Sequence, residues 1–386
     1  MIKIGILGAG SMGSGIAQVA ATAGHEVVVF DTFENALGNM KTRLDKILNR
    51  LIEKERINEA TRDGITSRIH YGQSMDDFAD CGLVIEAIIE NIDIKKKVFA
   101  QLEAITNEST ILASNTSSLS IASIAAACKN ANRVIGIHFF NPAPLMKLVE
   151  IIPAIQTSED TVQSAKAMID SWGKLTVLVK DTPGFIVNRI ARPFYGEALR
   201  ILEEGIADVA TIDWAMTTIG GFRMGPFTLM DYIGNDINYT VTETVFKAFY
   251  YDQRYKPAFT QKRLSEAGYY GRKAGRGYYD YNENAVKIAP TKDTNLGKTI
   301  VNRVVCMLIN EAVDALFWQV ATQEDIETAM TKGVNYPKGL LAWADEKGLE
   351  NVLKTLEDLH FEYGEDRYRP SPLLRKMVRT EANFFQ

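Results

Sequence analysis

A chain of 386 residues exceeds what one small core organises, and at roughly 150 residues per domain it divides into two or three domains. Its 46% hydrophobic and 24% charged residues are ordinary for a globular protein and exclude disordered and fibrous classes. With 43 basic and 48 acidic residues the formal charge is −5, so no global field draws nucleic acid or an anionic membrane, and any anion site must be local.

The cysteines Cys81, Cys128 and Cys306 lie far apart with no CxxC pair, which fits reduced thiols and disfavours a metal site or a disulfide framework. The opening MIKIGILGAG reaches a glycine turn at once, which argues against a signal or transit peptide, and no apolar run of about 18 residues suggests a membrane span. The expectation is a cytoplasmic protein without metal.

Ile2 to Leu7 reads as a short apolar strand, followed at once by GAGSMG and the helical pattern GIAQVAATAG ending at Gly24. Strand, glycine turn and helix in this order form a dinucleotide fingerprint. Gly8 allows the tight turn, Gly10 lets a pyrophosphate approach the backbone, and Gly13 lets helix and strand pack closely. The loop of Gly8, Gly10, Ser11, Met12 and Gly13 therefore puts the phosphates on a helix N-terminus, where free amides favour negative charge. Glu26 to Phe30 reads as a second strand, and Asp31 follows Gly13 by 18 residues, where a ribose-binding acid is expected. An acid there repels a 2′-phosphate, so NAD is favoured over NADP.

Glu34 to about Asn58 reads as one long helix with an apolar stripe of Leu44, Ile47, Leu48 and Leu51. Arg43, Lys46, Arg50 and Lys54 recur on another face. That face is either simply solvated or an anion clamp for a phosphate-bearing substrate. Leu83 to Ile85 is read as the third buried strand. Its end opens into the cofactor crevice, which makes Glu90 and Lys95 candidates near the nicotinamide, against a helix cap and a surface lysine. Ile111 to Ala113 is another strand, followed by SNTSSLSI and an alanine-rich helix to Ala127. Ser120 reads as an N-cap, whereas Ser117 matters if it faces the cleft.

The run RVIGIHFFNPAPLMKLVEI organises the rest. Val134, Ile135 and Ile137 form a buried strand stopped by Pro142 and Pro144, so His138 should sit at a strand end facing a cleft. Glu150 ends a second apolar run, where a carboxylate can hold an imidazole's tautomer and stabilise its cation. The competing reading is a core histidine with Glu150 on a solvated edge. Ser158 to Gly173 is a helix and Thr176 to Val179 a last strand. DTPGFIVNR then marks a boundary, beyond which the pattern is helical. Asn188, one to two turns into that first helix, needs a partner if buried. GRKAGRGYYDY closes this unit, and NENAVKIAPTKDTN is a linker.

At a constant offset of 114, Val187, Asn188 and Arg189 recur as Val301, Asn302 and Arg303, Glu197 and Ala198 as Glu311 and Ala312, and Gly225, Asp231 and Gly234 as Gly339, Asp345 and Gly348. Such gapless self-similarity implies two copies of one helical unit. The fold class is thus α/β, a Rossmann-type doubly wound sheet domain at 1–182 followed by two all-α helical repeats at 183–283 and 296–386.

The segments GAGSMGSGIAQ, VIEAIIEN, ASNTSSLSI, IHFFNPAPLMKLVEI, KDTPGFIVNRI, MGPFTLMDYIG and GRKAGRGYYDY resemble, in order, the motifs of the L-3-hydroxyacyl-CoA dehydrogenase family, including the 3-hydroxybutyryl-CoA dehydrogenases. The resemblance runs from residue 1 to about 283. It implies NAD-dependent, reversible oxidation of an L-3-hydroxyacyl-CoA, as in fatty-acid β-oxidation, with His138 as base and Glu150 as its partner. It implies that Ser117 and Asn188 bind the substrate oxygens and that Asp31, Glu90, Lys95, Asn141 and Lys273 contact NAD. The family holds coenzyme A on the basic helix, which implies Lys54 and Arg50. A dehydrogenase of a free hydroxy acid such as gulonate and a non-catalytic crystallin-like protein are the alternatives.

The departure from the family's short-chain members is the second repeat. Fatty-acid oxidation multienzymes carry such a repeat together with an enoyl-CoA hydratase portion, which is missing here. Because no strand-borne histidine or serine precedes Asn302, the second copy reads as structural. The expected assembly is a monomer with an internal pseudo-dimer, or a homodimer.

Overall fold

The apolar runs of the first half join a single sheet in a computed structural model that describes residues 2–286 and 288–385. The chain separates into two compact units, Met1–Phe185 and Ile186–Gln386. In the first, eight strands are laid down in chain order as β1 (Ile4–Leu7), β2 (Val27–Phe30), β3 (Ile69–Tyr71), β4 (Leu83–Glu86), β5 (Ile111–Ser114), β6 (Val134–Phe139), β7 (Leu148–Pro153) and β8 (Leu175–Leu178). Their spatial order is β3-β2-β1-β4-β5-β6-β7-β8. Every pairing is parallel except β6 with β7. Central strands β1, β4 and β5 are buried at every residue, which is why they read as continuous apolar runs without alternation. The order reverses between β1 and β4, and that switch point is where a doubly wound sheet opens its ligand crevice.

The crossovers are α1 (Ser11–Thr22), α2 (Ala36–Glu53), α3 (Glu59–Ser67), α4 (Ile92–Ile105), α5 (Ile121–Ala125) and α6 (Glu159–Ser171). Three expectations need correction. The long helix to Asn58 is two helices: Glu55 turns to φ 55°, and the Asn58 side chain accepts the Thr61 amide to start α3. Strand β3 was not anticipated, because only Ile69 of its three residues is buried and so no periodicity marks it. Glu150 does not end an apolar run, since β7 carries on through Ile151 and Ile152.

The second unit is helical. Its first part holds α7 (Val187–Ile190), α8 (Arg192–Glu203), α9 (Val209–Trp214), α10 (Pro226–Ile233), α11 (Asn235–Ala248) and α12 (Phe259–Glu266). Its second part holds α13 (Thr294–Phe317), α14 (Gln323–Thr328), α15 (Leu340–Lys347), α16 (Leu349–Tyr363) and α17 (Pro372–Arg379). The offset of 114 seen in the sequence recurs in the backbone: π turns follow α9 at Ala215–Ile219 and α14 at Ala329–Gly333. Asp213 accepts the Phe227 and Thr228 amides, and its counterpart Glu327 accepts those of Leu341 and Ala342. One difference has a local cause. Pro193 breaks the first copy into α7 and α8, while Met307 at the matching position lets α13 run unbroken.

The two copies meet through reciprocal buried ion pairs. Arg189 Nε lies 2.7 Å from Glu311, and Arg303 Nε lies 2.9 Å from Glu197. Each acid also accepts a tyrosine hydroxyl, Tyr255 on Glu311 and Tyr368 on Glu197. Phe222 and its counterpart Tyr336 pack edge to face at 5.0 Å. Among the described residues no helix is long and apolar enough to cross a membrane.

Candidate active site

The glycine loop leaves β1 through Gly8, whose φ of 109° suits only glycine and where a side chain would press within 2.5 Å of the Ala87 carbonyl. A Cβ on Gly13 would meet the Gly8 carbonyl oxygen at 1.9 Å, so the helix can sit this close to the turn only with glycine there. Gly10, by contrast, has nothing within 4 Å of where a Cβ would be, and no side chain caps α1. Open backbone and uncapped amides at Ser11 and Met12 are what a pyrophosphate requires. At the end of β2, Asp31 Oδ2 accepts the Ala9 amide at 2.7 Å and Oδ1 the Phe33 amide at 2.9 Å. The acid is thereby tied to the glycine loop, and the residues present fit a dinucleotide.

Beyond β4 lies a dense charge cluster. Glu86 is fully buried and receives Lys95 Nζ at 2.6 Å, the Ser114 hydroxyl at 2.7 Å and the Ile88 amide at 2.7 Å. Lys95 is 1% exposed and also reaches Glu90, at 3.3 Å. Glu90 accepts the Thr116 hydroxyl at 2.6 Å and the Ser117 amide at 3.0 Å, with the Ser117 hydroxyl at 3.3 Å. Desolvation opposes the Glu90 charge, but Lys95 and these donors outweigh it and hold the carboxyl below the usual range. Glu90, Lys95 and Ser117, predicted separately from the sequence, are therefore one network. Glu86 was missed as its anchor. The signal was an acid closing an otherwise apolar strand, VIE, where a buried charge must be paired.

His138 and Glu150 face each other across the antiparallel β6–β7 pair, in direct register. Nδ1 of His138 lies 2.7 Å from Glu150 Oε2, with the imidazole 6% exposed and the acid fully buried. Phe140 and Phe185 flank the ring at 4.5 and 6.0 Å. The solvated-edge reading of Glu150 is thus excluded. Asn115 at the end of β5 accepts the Phe139 amide at 2.8 Å, tying the histidine strand to the next crossover. Asn141 is exposed, and its bond to Pro142 is cis.

On α2, Arg43 turns inward to the Ser14 hydroxyl at 3.1 Å, while Lys46, Arg50 and Lys54 are exposed and among the described residues pair with no carboxylate. Lys54 caps the helix rather than continuing its face. In the helical unit, Asn188 is half-buried on α7 and takes Arg192 Nη2 at 3.4 Å on its carbonyl oxygen. Lys273 is exposed and pairs with Asp236 at 2.7 Å.

Residues 3–182 match the family described as 3-hydroxyacyl-CoA dehydrogenase, NAD binding domain, and residues 184–281 and 300–383 each match its C-terminal domain. A relative named 3-hydroxyadipyl-CoA dehydrogenase, from Escherichia coli K12, is 36% identical and covers 99% of this chain and 98% of its own length. One named probable 3-hydroxybutyryl-CoA dehydrogenase, from Deinococcus radiodurans, is 41% identical over 72% of this chain and all of its own. A crystal structure of an Escherichia coli K12 protein, titled 3-hydroxybutyryl-CoA dehydrogenase, superposes with a TM-score of 0.92 at 35% identity over 99% of both chains.

Proposed function

Since the chain belongs to the 3-hydroxyacyl-CoA dehydrogenase family and is an NAD-dependent oxidoreductase, we propose that it interconverts L-3-hydroxyacyl-CoA, including 3-hydroxybutyryl-CoA, and 3-ketoacyl-CoA in the cytoplasm. The observation that carries the residue assignment is the buried His138–Glu150 contact at 2.7 Å. Glu150 orients the imidazole through Nδ1 and stabilises its cation, so Nε2 takes the proton of the substrate hydroxyl. Ser117 and Asn188 donate to the oxygen as negative charge develops on it. NAD, when bound, supplies the hydride acceptor. It would be held by Gly8, Gly10, Ser11, Met12, Gly13 and Asp31, with Glu90 and Lys95 near its nicotinamide and Asn141 and Lys273 as further contacts. Arg50 and Lys54, exposed and without carboxylate partners among the described residues, suit the phosphates of coenzyme A. In the reducing direction the imidazolium returns the proton. We divide the chain into a dinucleotide domain at 1–182, a catalytic helical domain at 183–283 and a structural repeat at 296–386.

The test is His138→Gln. Turnover of acetoacetyl-CoA with NADH should fall roughly 100-fold or more while NADH affinity stays near wild type. A folded variant with wild-type turnover would remove His138 from the mechanism. Wild-type preference for a free hydroxy acid over its CoA ester would remove the coenzyme.

A further inference from the structure

Buried arginines in the helical unit come in two kinds. Arg189, Arg303 and Arg367 each have a carboxylate partner: Glu311 at 2.7 Å, Glu197 at 2.9 Å and Glu365 at 2.6 Å. Arg192 has none among the described residues, although it is only 7% exposed. Its guanidinium donates to the Thr242 hydroxyl at 3.2 Å and the Asn188 carbonyl oxygen at 3.4 Å, and lies 5.0 Å from the Tyr195 ring centre. Its Nε is buried without a partner among the described residues. Tyr336, contributed by the second copy, is also 7% exposed, lies within electrostatic reach of the guanidinium, and likewise has a buried hydroxyl with no partner among the described residues. A full positive charge and two idle donors thus share one buried place.

Such a charge is costly to bury unless an anion meets it. The fold does not demand it. At the offset of 114, Arg192, Tyr195 and Thr242 become Cys306, Ile309 and Leu356, all fully buried, and the second copy fills that place without a guanidinium. The asparagine next to it is kept but its cation is not the same: Asn302 accepts the half-buried Lys347 Nζ at 2.7 Å, where Asn188 takes the buried Arg192. The arginine therefore belongs to the copy that carries Asn188, not to the architecture.

We infer that Arg192, assisted by Tyr336, binds a carboxylate at the far end of the acyl chain, so that the preferred substrate is the CoA ester of a hydroxylated dicarboxylic acid. This rests on the reading of Asn188 as a ligand of the substrate oxygen. Because the two side chains touch, an oxygen held by Asn188 and a carboxylate two methylenes farther along the same acyl chain fall to neighbouring ligands. A chain ending in a methyl group leaves the guanidinium bare in a desolvated pocket, and that penalty supplies the discrimination.

The experiment compares kcat/KM for 3-hydroxyadipyl-CoA and 3-hydroxyhexanoyl-CoA, which share carbon number and differ only at the chain end, using the full-length protein. Wild type should favour the carboxylate ester by roughly 100-fold or more. Arg192→Met should bring the ratio to within a few-fold of unity, and Tyr336→Phe should lower it about tenfold, which keeps the test open if the arginine variant does not fold. Equal wild-type efficiency on the two esters overturns the inference, as does an Arg192→Met enzyme that loses activity on both alike, which is what a purely positioning role toward Asn188 produces. A wild-type protein inactive on these esters and on 3-hydroxybutyryl-CoA overturns the dehydrogenase reading itself. Activity without end-group discrimination overturns only the assignment of Arg192.

Discussion

Glu150 reaches His138 because two strands joined by a short loop place residues twelve apart directly opposite one another. Burial of both groups makes the contact matter, since a lone carboxylate in that position would be costly. The same reasoning gives a stability prediction for Lys95. Removing it leaves Glu86, fully buried, without its cation. Lys95→Met should lower unfolding free energy by about 3 kcal/mol, read by urea denaturation, and an unchanged midpoint would show the pair to be dispensable. Asp31 makes the cofactor prediction: Asp31→Ala should narrow the preference for NADH over NADPH, measured as the ratio of kcat/KM values, and equal wild-type efficiency with both would place Asp31 away from the ribose. At this scale much was legible. Histidine, acid, serine and glycines stood at spacings whose chemistry could be named. Glu86 was overlooked although its place at the end of an apolar strand marked it, whereas Arg192 was not legible, because what marks it is the lack of a carboxylate partner in the folded chain, and no local pattern records that.

The loop between β6 and β7 shows how elements hold the site in shape. Lys174, just before β8, donates to the Ala143 carbonyl at 2.5 Å and the Met146 carbonyl at 2.8 Å, while Gly15 of α1 brings its backbone close to Ala143 and Pro144. The loop carrying Asn141 is thus fastened between the dinucleotide helix and the last strand. Burial pulls the Lys174 ammonium down to about 8. Its folded value then lies below its unfolded one, so between about pH 8 and the ordinary lysine value near 10.4 the unfolded chain binds more protons, and this group makes stability rise with pH. Comparing thermal melts of wild type and Lys174→Met across that window should show a shallower rise, or a steeper fall, in the variant. Parallel profiles would mean that Lys174 titrates as a free lysine. Elements with strong periodicity, α1, α6 and the central strands, could be read from the chain. Strand β3 could not, since an edge strand of three residues with one buried side chain carries no repeat to detect. The break between α2 and α3 turns on a capping asparagine inside a polar run, where amphipathicity fades before the helix does.

Over the whole chain, the duplication was visible as a numerical offset, but its meaning lies in how the copies pack. Arg189 crosses to Glu311 and Arg303 crosses back to Glu197. That is the contact pattern of a two-fold interface, drawn within one chain. The full chain should therefore be monomeric by light scattering, whereas residues 1–283 should dimerise or aggregate once the face that packs on α13 is uncovered. A full-length dimer together with a soluble, active 1–283 fragment would show that the repeat is not a stand-in for a partner.

The reciprocity of those pairs has a genetic consequence. In an assembly of two identical chains, a codon change alters both sides of the axis, so no residue can differ from its mirror image. Joining the halves in one reading frame cuts that bond between sides. One half can then carry a cysteine where the other carries Arg192, and a phenylalanine where the other carries Tyr336, while the shared framework of Arg189, Glu197, Arg303 and Glu311 stays matched. A pocket built once, with a guanidinium from one side, a phenol from the other and no mirror copy across the axis, can be written only in a gene that spells the two sides separately.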